Sequence, residues 1–417
     1  MIFLIDCNNF YCSVEQIFNP SLRDQAVVVM SNNDGCVIAR NEKAKAVGIQ
    51  MGAVVHLSEA QFKANGVQAF SSNYPLYHSI SQRIMRIISD YCPEVEMYSI
   101  DEAFANFSGC RYLNLYRIAR LLRARILREI GIQVSIGIGE TKTLAKLANR
   151  YAKKERRSIG VYMLDTPDKV QQILDYTAVE DVWGIGKRLA VKFNAIGVYK
   201  ASDLLSVPVD WLRRNMSVVM VRLISELKGI QCSNLEIEPP AQQVIGTAKS
   251  FGSPLSTFQE VQEALANYVV SVAIKLRKQK SMVKQISVFI TTNPFSTGSA
   301  QYYRSLQLEL PVPTNSSIEI LKFATVALKK IYKEGYHYKK IGVFLNDLTR
   351  EGVVQPSLFY GEDLSKQEKL MKVLDKINSQ KQLVKIASQG SGERFKMRQQ
   401  RISKRYTTKL SDVLLVY

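Results

Sequence analysis

The chain has 417 residues, enough for several domains. Its 46% hydrophobic and 22% charged residues are ordinary for a globular protein. No apolar run approaches the roughly 18–20 residues that a membrane helix needs. Lys and Arg number 56 against 37 Asp and Glu, a formal charge of +19. That excess suits a polyanion, either nucleic acid or anionic lipid, and with no amphipathic anchor evident nucleic acid is favoured. The six cysteines (Cys7, Cys12, Cys36, Cys92, Cys110, Cys232) form no CxxC pair and read as reduced and mostly buried. His56, His78 and His337 lie too far apart in sequence to suggest a zinc site. The chemistry must therefore rest on carboxylates.

The opening MIFLIDCNNF is apolar but lacks a basic n-region and meets Asp6, so it reads as a buried strand over 2–6 and not as a signal peptide. The cytoplasm is the default location. An αβ segment is expected up to about residue 72, with VVVMS (27–31) and CVIAR (36–40) flanking an Asn-Asn-Asp-Gly turn. Ile80, Ile84, Ile87 and Ile88 recur at helical spacing and predict a helix over 75–91. Strands VEMYS (95–99) and AFANF (103–107) follow, joined by a tight turn that carries Asp101 and Glu102. A long amphipathic helix over 112–130, the strand QVSIGIG (133–139) and a helix over 140–154 complete the unit. With 11–72 left out, the order is β-α-β-β-α-β, the split βαβ or ferredoxin-like pattern. The same order of elements returns over 243–347, after a mostly helical stretch at 166–230 and a Pro-containing linker, SNLEIEPPAQQ.

An acid ending the first strand and two acids at the hairpin turn converge on one sheet edge in such a topology. Three clustered carboxylates repel one another unless a cation is present, and hard oxygen ligands suit Mg²⁺. Two such ions about 4 Å apart clamp the attacking and leaving oxygens of a phosphoryl displacement. Nucleotide cyclases share this constellation, so the three acids leave the reaction open.

The motifs around them narrow it. DCNNFYCSVE (6–15), MYSIDEAFANF (97–107) and IGIGETKTLAKLANRYAKK (136–154) resemble the three catalytic motifs of Y-family DNA polymerases, and the likeness to the UmuC-type branch runs to the terminal RQQRISKRYTTKLSDVLLVY. The resemblance implies an α+β right-hand polymerase: a ferredoxin-like palm (1–10 and 73–165), small fingers (11–72), a helical thumb (166–232), a linker (233–242), an α+β little finger (243–347) and a partner-binding tail (348–417). It further implies that Asp6, Asp101, Glu102 and the backbone carbonyl of Cys7 hold two Mg²⁺ ions, Glu102 nearest the primer 3′-hydroxyl. Tyr11 becomes the steric gate that leaves no room for a ribose 2′-hydroxyl. Lys45 and Lys153 become the cations on the triphosphate, where charge-assisted contacts are strong. Cys36 and Ile38 match residues that roof the templating base pair, although core packing explains them equally well. Glu42 stands where some relatives place a Tyr against the triphosphate, which leaves its role open.

VWGIGKRLA (182–190) reads as a helix-hairpin-helix turn. The backbone N–H groups around Gly184 and Gly186, with Lys187 and Arg188, suit a DNA phosphate without reading bases. The second α+β unit carries Lys249, Lys275, Arg277, Lys278, Lys280, Lys284, Arg304, Lys339 and Lys340, which the family assigns to gripping duplex DNA. Gln355, Leu358 and Phe359 resemble the peptide that bacterial polymerases insert into the sliding clamp. The expected activity is error-prone, template-directed translesion synthesis on damaged primer-template DNA in the SOS response, with dNTPs as substrates. A processed UmuD-like homodimer and a RecA filament are the further partners implied, in a bacterial, nucleoid-associated setting. A cyclase would not need the hairpin, the basic second unit or the clamp peptide. A non-catalytic DNA-binding regulator would not need Asp6, Tyr11, Asp101 and Glu102 together.

Overall fold

The computed structural model describes residues 1–110, 112–296, 298–352, 364–381, 384–390 and 397–414. Gln355, Leu358 and Phe359 lie outside them. The chain divides into one unit of Met1–Pro239 with Gln400–Tyr417, and a second of Pro240–Gln399.

The first unit is built on strand β1 (Ile2–Cys7). Helix α1 (Phe10–Phe18) follows, then strands β2 (Val27–Met30) and β3 (Val37–Arg40), helices α2 (Glu42–Ala46) and α3 (Val55–Ala64), and strand β4 (Gln68–Ser71). β2–β4 form a three-stranded sheet, order β3-β2-β4, over a small core of its own. Next come α4 (Tyr74–Ser89), β5 (Val95–Met97), β6 (Glu102–Asn106), α5 (Leu115–Ile130), β7 (Val134–Gly139), α6 (Lys142–Glu155) and β8 (Val161–Met163). The strand order β5-β6-β1-β7-β8 contains the ferredoxin-like order expected, with β8 added at one edge. Helices α7 (Pro167–Tyr176), α8 (Lys187–Asn194), α9 (Val209–Asn215) and α10 (Val218–Leu227) form a helical cluster, whose core takes in Leu144, Leu147 and Ala148 of α6.

β1 is continuously apolar because it is central and buried on both faces. Phe3, Ile5 and Cys7 face the core beneath α4 and α5, while Ile2 and Leu4 meet Phe104 and Ala145 on the other side. Element boundaries shift by a few residues for local reasons. The expected strand 95–99 stops at Met97 because Ser99 turns the chain. Helix α5 starts at 115 and not 112, since the side chain of Asn114 accepts from the Arg117 N–H as its cap. Gly131, at φ 83°, ends it.

Two glycines set how close α6 lies to the sheet. A Cβ on Gly137 would stand 2.1 Å from Asn149 N and 2.2 Å from Ala145 O, and one on Gly139 would stand 2.8 Å from Ala145 N. The helix therefore rests on bare backbone of β7. Asn149, buried there, donates to Leu4 O (3.2 Å) and Ser135 O (2.7 Å), tying β1 and β7 to α6.

The second unit comprises β9 (Ile245–Leu255), α11 (Phe258–Lys278), β10 (Ser281–Thr292), β11 (Tyr303–Thr314), α12 (Ser317–Ile331) and β12 (Tyr338–Arg350), with α13 (Leu364–Lys381) after it. The elements arrive in the expected order, but the sheet runs β11-β10-β12-β9, all antiparallel, and differs from the first unit's order. Arg277, expected on a DNA-gripping face, is committed inward. It makes a bidentate pair with Asp375 (2.7 Å) and donates to Asn315 O and Ser317 Oγ.

Gly137→Ala is expected to destabilise the first unit by more than the about 1–3 kcal/mol of ordinary overpacking, because the obstacle is helix backbone and not a side chain. A melting curve within a degree of the parent's would show that α6 can lift off β7 freely.

Candidate active site

The sheet edge where β1 ends and its antiparallel neighbours β6 and β7 begin carries the acids. In the antiparallel register Asp6 stands opposite Glu102 on β6 and opposite Ser135 on β7. The Cys7 N–H donates to Asp101 O (2.9 Å), which fixes the hairpin turn against β1. Ser99 organises that turn. Its hydroxyl donates to Asp101 Oδ1 (2.6 Å) and accepts from the N–H groups of Asp101 and Glu102 (3.2 and 3.0 Å).

Helix α6 supplies two cations at a seven-residue spacing, hence on one face. Lys153 Nζ lies 2.5 Å from Asp6 Oδ2. Lys146 Nζ lies 3.2 and 3.4 Å from the two Glu102 oxygens. Lys146 is also caged by aromatic rings: its ammonium is 4.4 Å from the Tyr98 centroid, 5.1 Å from Trp183 and 5.8 Å from Phe104. Burial pushes the Asp6 carboxyl up to about 7; Lys153 opposes the shift, and the neighbouring Glu102 and Asp101 add to it. Each of these acids in the register pair thus meets a built-in cation. Among the described residues, no three His, Cys, Asp or Glu side chains stand together as a ready-made metal site. The donor chemistry nevertheless fits a hard divalent cation, because three carboxylates border one cleft and the charge of buried Asp6 is under-compensated.

That cleft, about 460 Å³, is lined by Asp6, Cys7, Asp101, Glu102 and Lys153 on one side and by Tyr11, Ile38, Arg40 and Lys45 on the other. Tyr11 stacks on Tyr77 (centroids 4.6 Å, 20°) and meets Tyr74 edge-on (6.1 Å). Burial pushes its hydroxyl up to about 12. Lys45 donates to Asn9 Oδ1 (2.8 Å) and pairs with Glu42 (2.5 Å). Glu42 in turn holds Arg157 (2.7 Å) and accepts from Asn9 (3.3 Å). Partial burial works against ionising Glu42. The hydrogen bonds from Lys45 and Asn9 and the charges of Lys45 and Arg157 win, holding its carboxyl at about 2. Position 42 therefore acts as an anchor for cations. Cys36 is not among the lining residues: it forms a bridge with Val54, and its N–H donates to Ser31 Oγ.

The structure brings together Asp6, Cys7, Asp101, Glu102, Tyr11, Ile38, Lys45 and Lys153 and leaves Cys36 out. Lys146, Ser99 and Arg157 were not singled out from the sequence. The seven-residue step from Lys146 to Lys153 was the available signal for the first; the other two need the fold. Elsewhere in the first unit, Gly184 has φ 90° and Gly186 caps α8, with Lys187 and Arg188 exposed at the helix start. In the second unit Lys249 lies over the Tyr268 ring (5.7 Å) and Lys284 pairs with Glu309 (2.8 Å).

Comparison with known proteins bears on this arrangement. Among solved structures, a Y-family DNA polymerase chimera of Dbh and Dpo4 superposes with a TM-score of 0.69 at 20% identity, over 84% of this chain and 99% of that one. An insertion ternary complex of Dbh DNA polymerase gives 0.55 over 84% and 99%. The fold is that of a Y-family polymerase. The sequence pattern of the impB/mucB/samB family covers residues 5–150, that of its C-terminal domain 242–358, and a domain of unknown function 368–416. UmuC of Salmonella typhimurium is 40% identical over all of both chains, and MucB of Escherichia coli 37% over 98% of this chain and 97% of its own. DNA polymerase IV of Moorella thermoacetica is 29% identical over 86% and 88%. The chain belongs to the impB/mucB/samB family, and it is a DNA-directed DNA polymerase of the error-prone, translesion kind.

Asp6 must shed its proton to ligate a cation. With its carboxyl at about 7, protons and metal compete below neutrality. Divalent-metal affinity, read by titration calorimetry without nucleotide, is expected to weaken up to about tenfold per pH unit below pH 7. Lys153→Met removes the charge that opposes the shift, so it should move the break to higher pH. An affinity flat from pH 5.5 to 8 would place the metal elsewhere.

Proposed function

We propose that this cleft adds a dNMP to a primer 3′-hydroxyl on damaged templates, with Mg²⁺ as the divalent cation. The observation that carries the reading is the register pair Asp6–Glu102 with the Asp101 turn hydrogen-bonded to Cys7, at the floor of a cleft whose opposite wall holds Tyr11 and Lys45. Asp6, Asp101, Glu102 and the Cys7 carbonyl would hold the metal. When bound, two such ions stabilise the attacking and leaving oxygens at the α-phosphate. The chain's own side chains do the rest. Lys45, with Arg157 anchored by the same Glu42, presents positive charge to the triphosphate, and Lys153 adds a third cation once released from Asp6. Ile38 lies against the base, and the Tyr11 ring fills the space a 2′-hydroxyl would need. The N–H groups at Gly184 and Gly186, with Lys187 and Arg188, suit a phosphate of the duplex, and Lys249 and Lys284 serve the same end in the second unit. The palm, fingers, thumb and little-finger boundaries given above are part of this reading.

Asp101→Ala or Glu102→Ala should cut primer extension below about one percent of the parent while leaving primer-template affinity within a few-fold, since that affinity comes from lysines and arginines on other elements. Tyr11→Ala should retain part of its dNTP use and accept rNTPs. Robust extension by either acid variant, or an unchanged rNTP-to-dNTP ratio in the Tyr11 variant, would reassign those residues.

The partners follow by family resemblance. Gln355, Leu358 and Phe359 would dock in the sliding clamp, and a UmuD-like processed homodimer and a RecA filament would activate the enzyme at the nucleoid. Among the described residues no helix is long and apolar enough to cross a membrane. Leu358→Ala with Phe359→Ala removes two anchors of about 1.5–3 kcal/mol each, a loss of well over tenfold in clamp affinity. Distributive extension should stay unchanged. A pull-down in which the double variant holds the clamp, the UmuD-like dimer and RecA as firmly as the parent would place the clamp contact on another surface; selective loss of the clamp alone is the expected result.

A further inference from the structure

The segment from Gln400 onward belongs to the first unit and lies against β4, the start of α4 and helix α1. Its backbone continues the edge of the β3-β2-β4 sheet. Ser71 N–H donates to Arg401 O (2.9 Å), Arg401 N–H donates to Ser71 Oγ (3.0 Å), and Ser71 bridges Ile402 in parallel. Fully buried Asn73, the cap of α4, donates through Nδ2 to Ser403 O (3.1 Å), Ser403 Oγ (3.0 Å) and Lys404 O (3.3 Å). Tyr406 stacks almost parallel on Phe18 of α1 (4.7 Å, 8°).

One of these contacts leads to Tyr11. Ser403 Oγ donates to Glu15 Oε1 (3.0 Å), and Tyr77 OH donates to the same oxygen (2.6 Å). Glu15 is only 2% exposed, so both donors matter to it. Tyr77, held by that bond at its hydroxyl end, carries the Tyr11 ring stacked on its face. Tyr11, Glu15 and Phe18 fall four and three residues apart on α1, along one side of the helix. The strap thus grips α1 at Phe18 and at Glu15, and the Glu15 oxygen joins it to the ring that supports Tyr11.

We propose that residues 400–406 are a positioning element of the nucleotide site, and that Ser403, Glu15 and Tyr77 hold Tyr11 in the place from which it discriminates deoxyribose from ribose. This gives a role to part of the stretch 368–416, matched above only as a domain of unknown function. It rests on the reading of Tyr11 as the sugar gate, and the test separates the two.

The measurement is the ratio of kcat/KM for a matched rNTP to that for the dNTP, in the full-length chain. Tyr11→Ala should raise this ratio, as argued above. Ser403→Ala and Tyr77→Phe, which leave the Tyr11 ring and its stacking partner in place, should each raise it by about three- to tenfold, since only part of the stability lost with one hydrogen bond to a buried carboxylate reaches the ring. In a Tyr11→Ala background neither should raise it further, because they act through the ring. An unchanged ratio in both variants, with Tyr11→Ala relaxed, overturns the positioning role and leaves the gate standing. The same increase persisting in the Tyr11→Ala background also overturns it, since the effect is then general. A ratio that Tyr11→Ala does not move removes the gate and the strap's role with it.

Discussion

Three acids in a half-buried cleft are the constraint to which the rest of the first unit answers. Burial first, and the nearby Glu102 and Asp101 carboxylates after it, raise the Asp6 carboxyl to about 7 even against Lys153, so the edge of the sheet is short of positive charge. The fold supplies that charge from α6: Lys153 to Asp6 and Lys146 to Glu102. Both pairs have to loosen before a divalent cation can take the same oxygens. Lys146 has somewhere to stay when they do, because the rings of Tyr98, Phe104 and Trp183 hold its ammonium independently of Glu102. Among the described residues no ring cages Lys153, and it is the more exposed of the two, as a cation that exchanged a carboxylate for a phosphate under the proposed reading would need to be.

The lysines can reach these acids only because α6 lies on the sheet with no side chain between. Gly137 and Gly139 remove the Cβ atoms that would hold the helix away, and Asn149 fastens it to two strands at once. The pattern IGIG followed by KTLAKLANRYAK is therefore one device. Its glycines set the distance, its asparagine sets the rotation, and its two lysines use both. Glu42 does comparable work beside the cleft, where one strongly ionised carboxylate holds both cleft-lining Lys45 and Arg157.

Much of this was legible in the sequence. The alternation of strand and helix around Asp6 and Asp101-Glu102 predicted the ferredoxin-like order, because an acid that ends an apolar run marks the strand end that faces solvent or a site. Residues carried by motifs, such as Tyr11, Lys45 and Lys153, line the expected cleft. What escaped were contacts that join distant segments. Arg157 meets Glu42 across 115 residues, Trp183 meets Lys146 across a change of structural element, and Ser403 meets Glu15 across 388 residues. No local periodicity encodes such pairs. Arg277 failed for the converse reason: composition counts a charge but not its direction, and this one is spent on Asp375 and on the backbone of Asn315. Cys36 sits two residues before the lining residue Ile38, but its backbone is paired with Ser31 and Val54 and it does not line the cleft.

A gate that works by exclusion is only as selective as its support is stiff. If the protein can yield, the cost of admitting an extra hydroxyl falls to that of a small overpacking, about 1–3 kcal/mol. Stacking on Tyr77 and edge contact with Tyr74 restrain the Tyr11 ring on two sides, but both partners sit on one helix, α4, and would move together with it. The bond from Tyr77 to Glu15 closes the loop, because Glu15 lies on the same helix as Tyr11 itself. Helices α1 and α4 are thereby locked in register beside the Tyr11 ring. Glu15 is a costly residue to bury, and a neutral side chain could fill the same volume. What the carboxylate adds is one acceptor oxygen shared by Tyr77 and by Ser403 of the returning strap. The strap's far end is fixed separately by Tyr406 on Phe18, so its pull on Glu15 acts along α1 and on the tyrosine at its start.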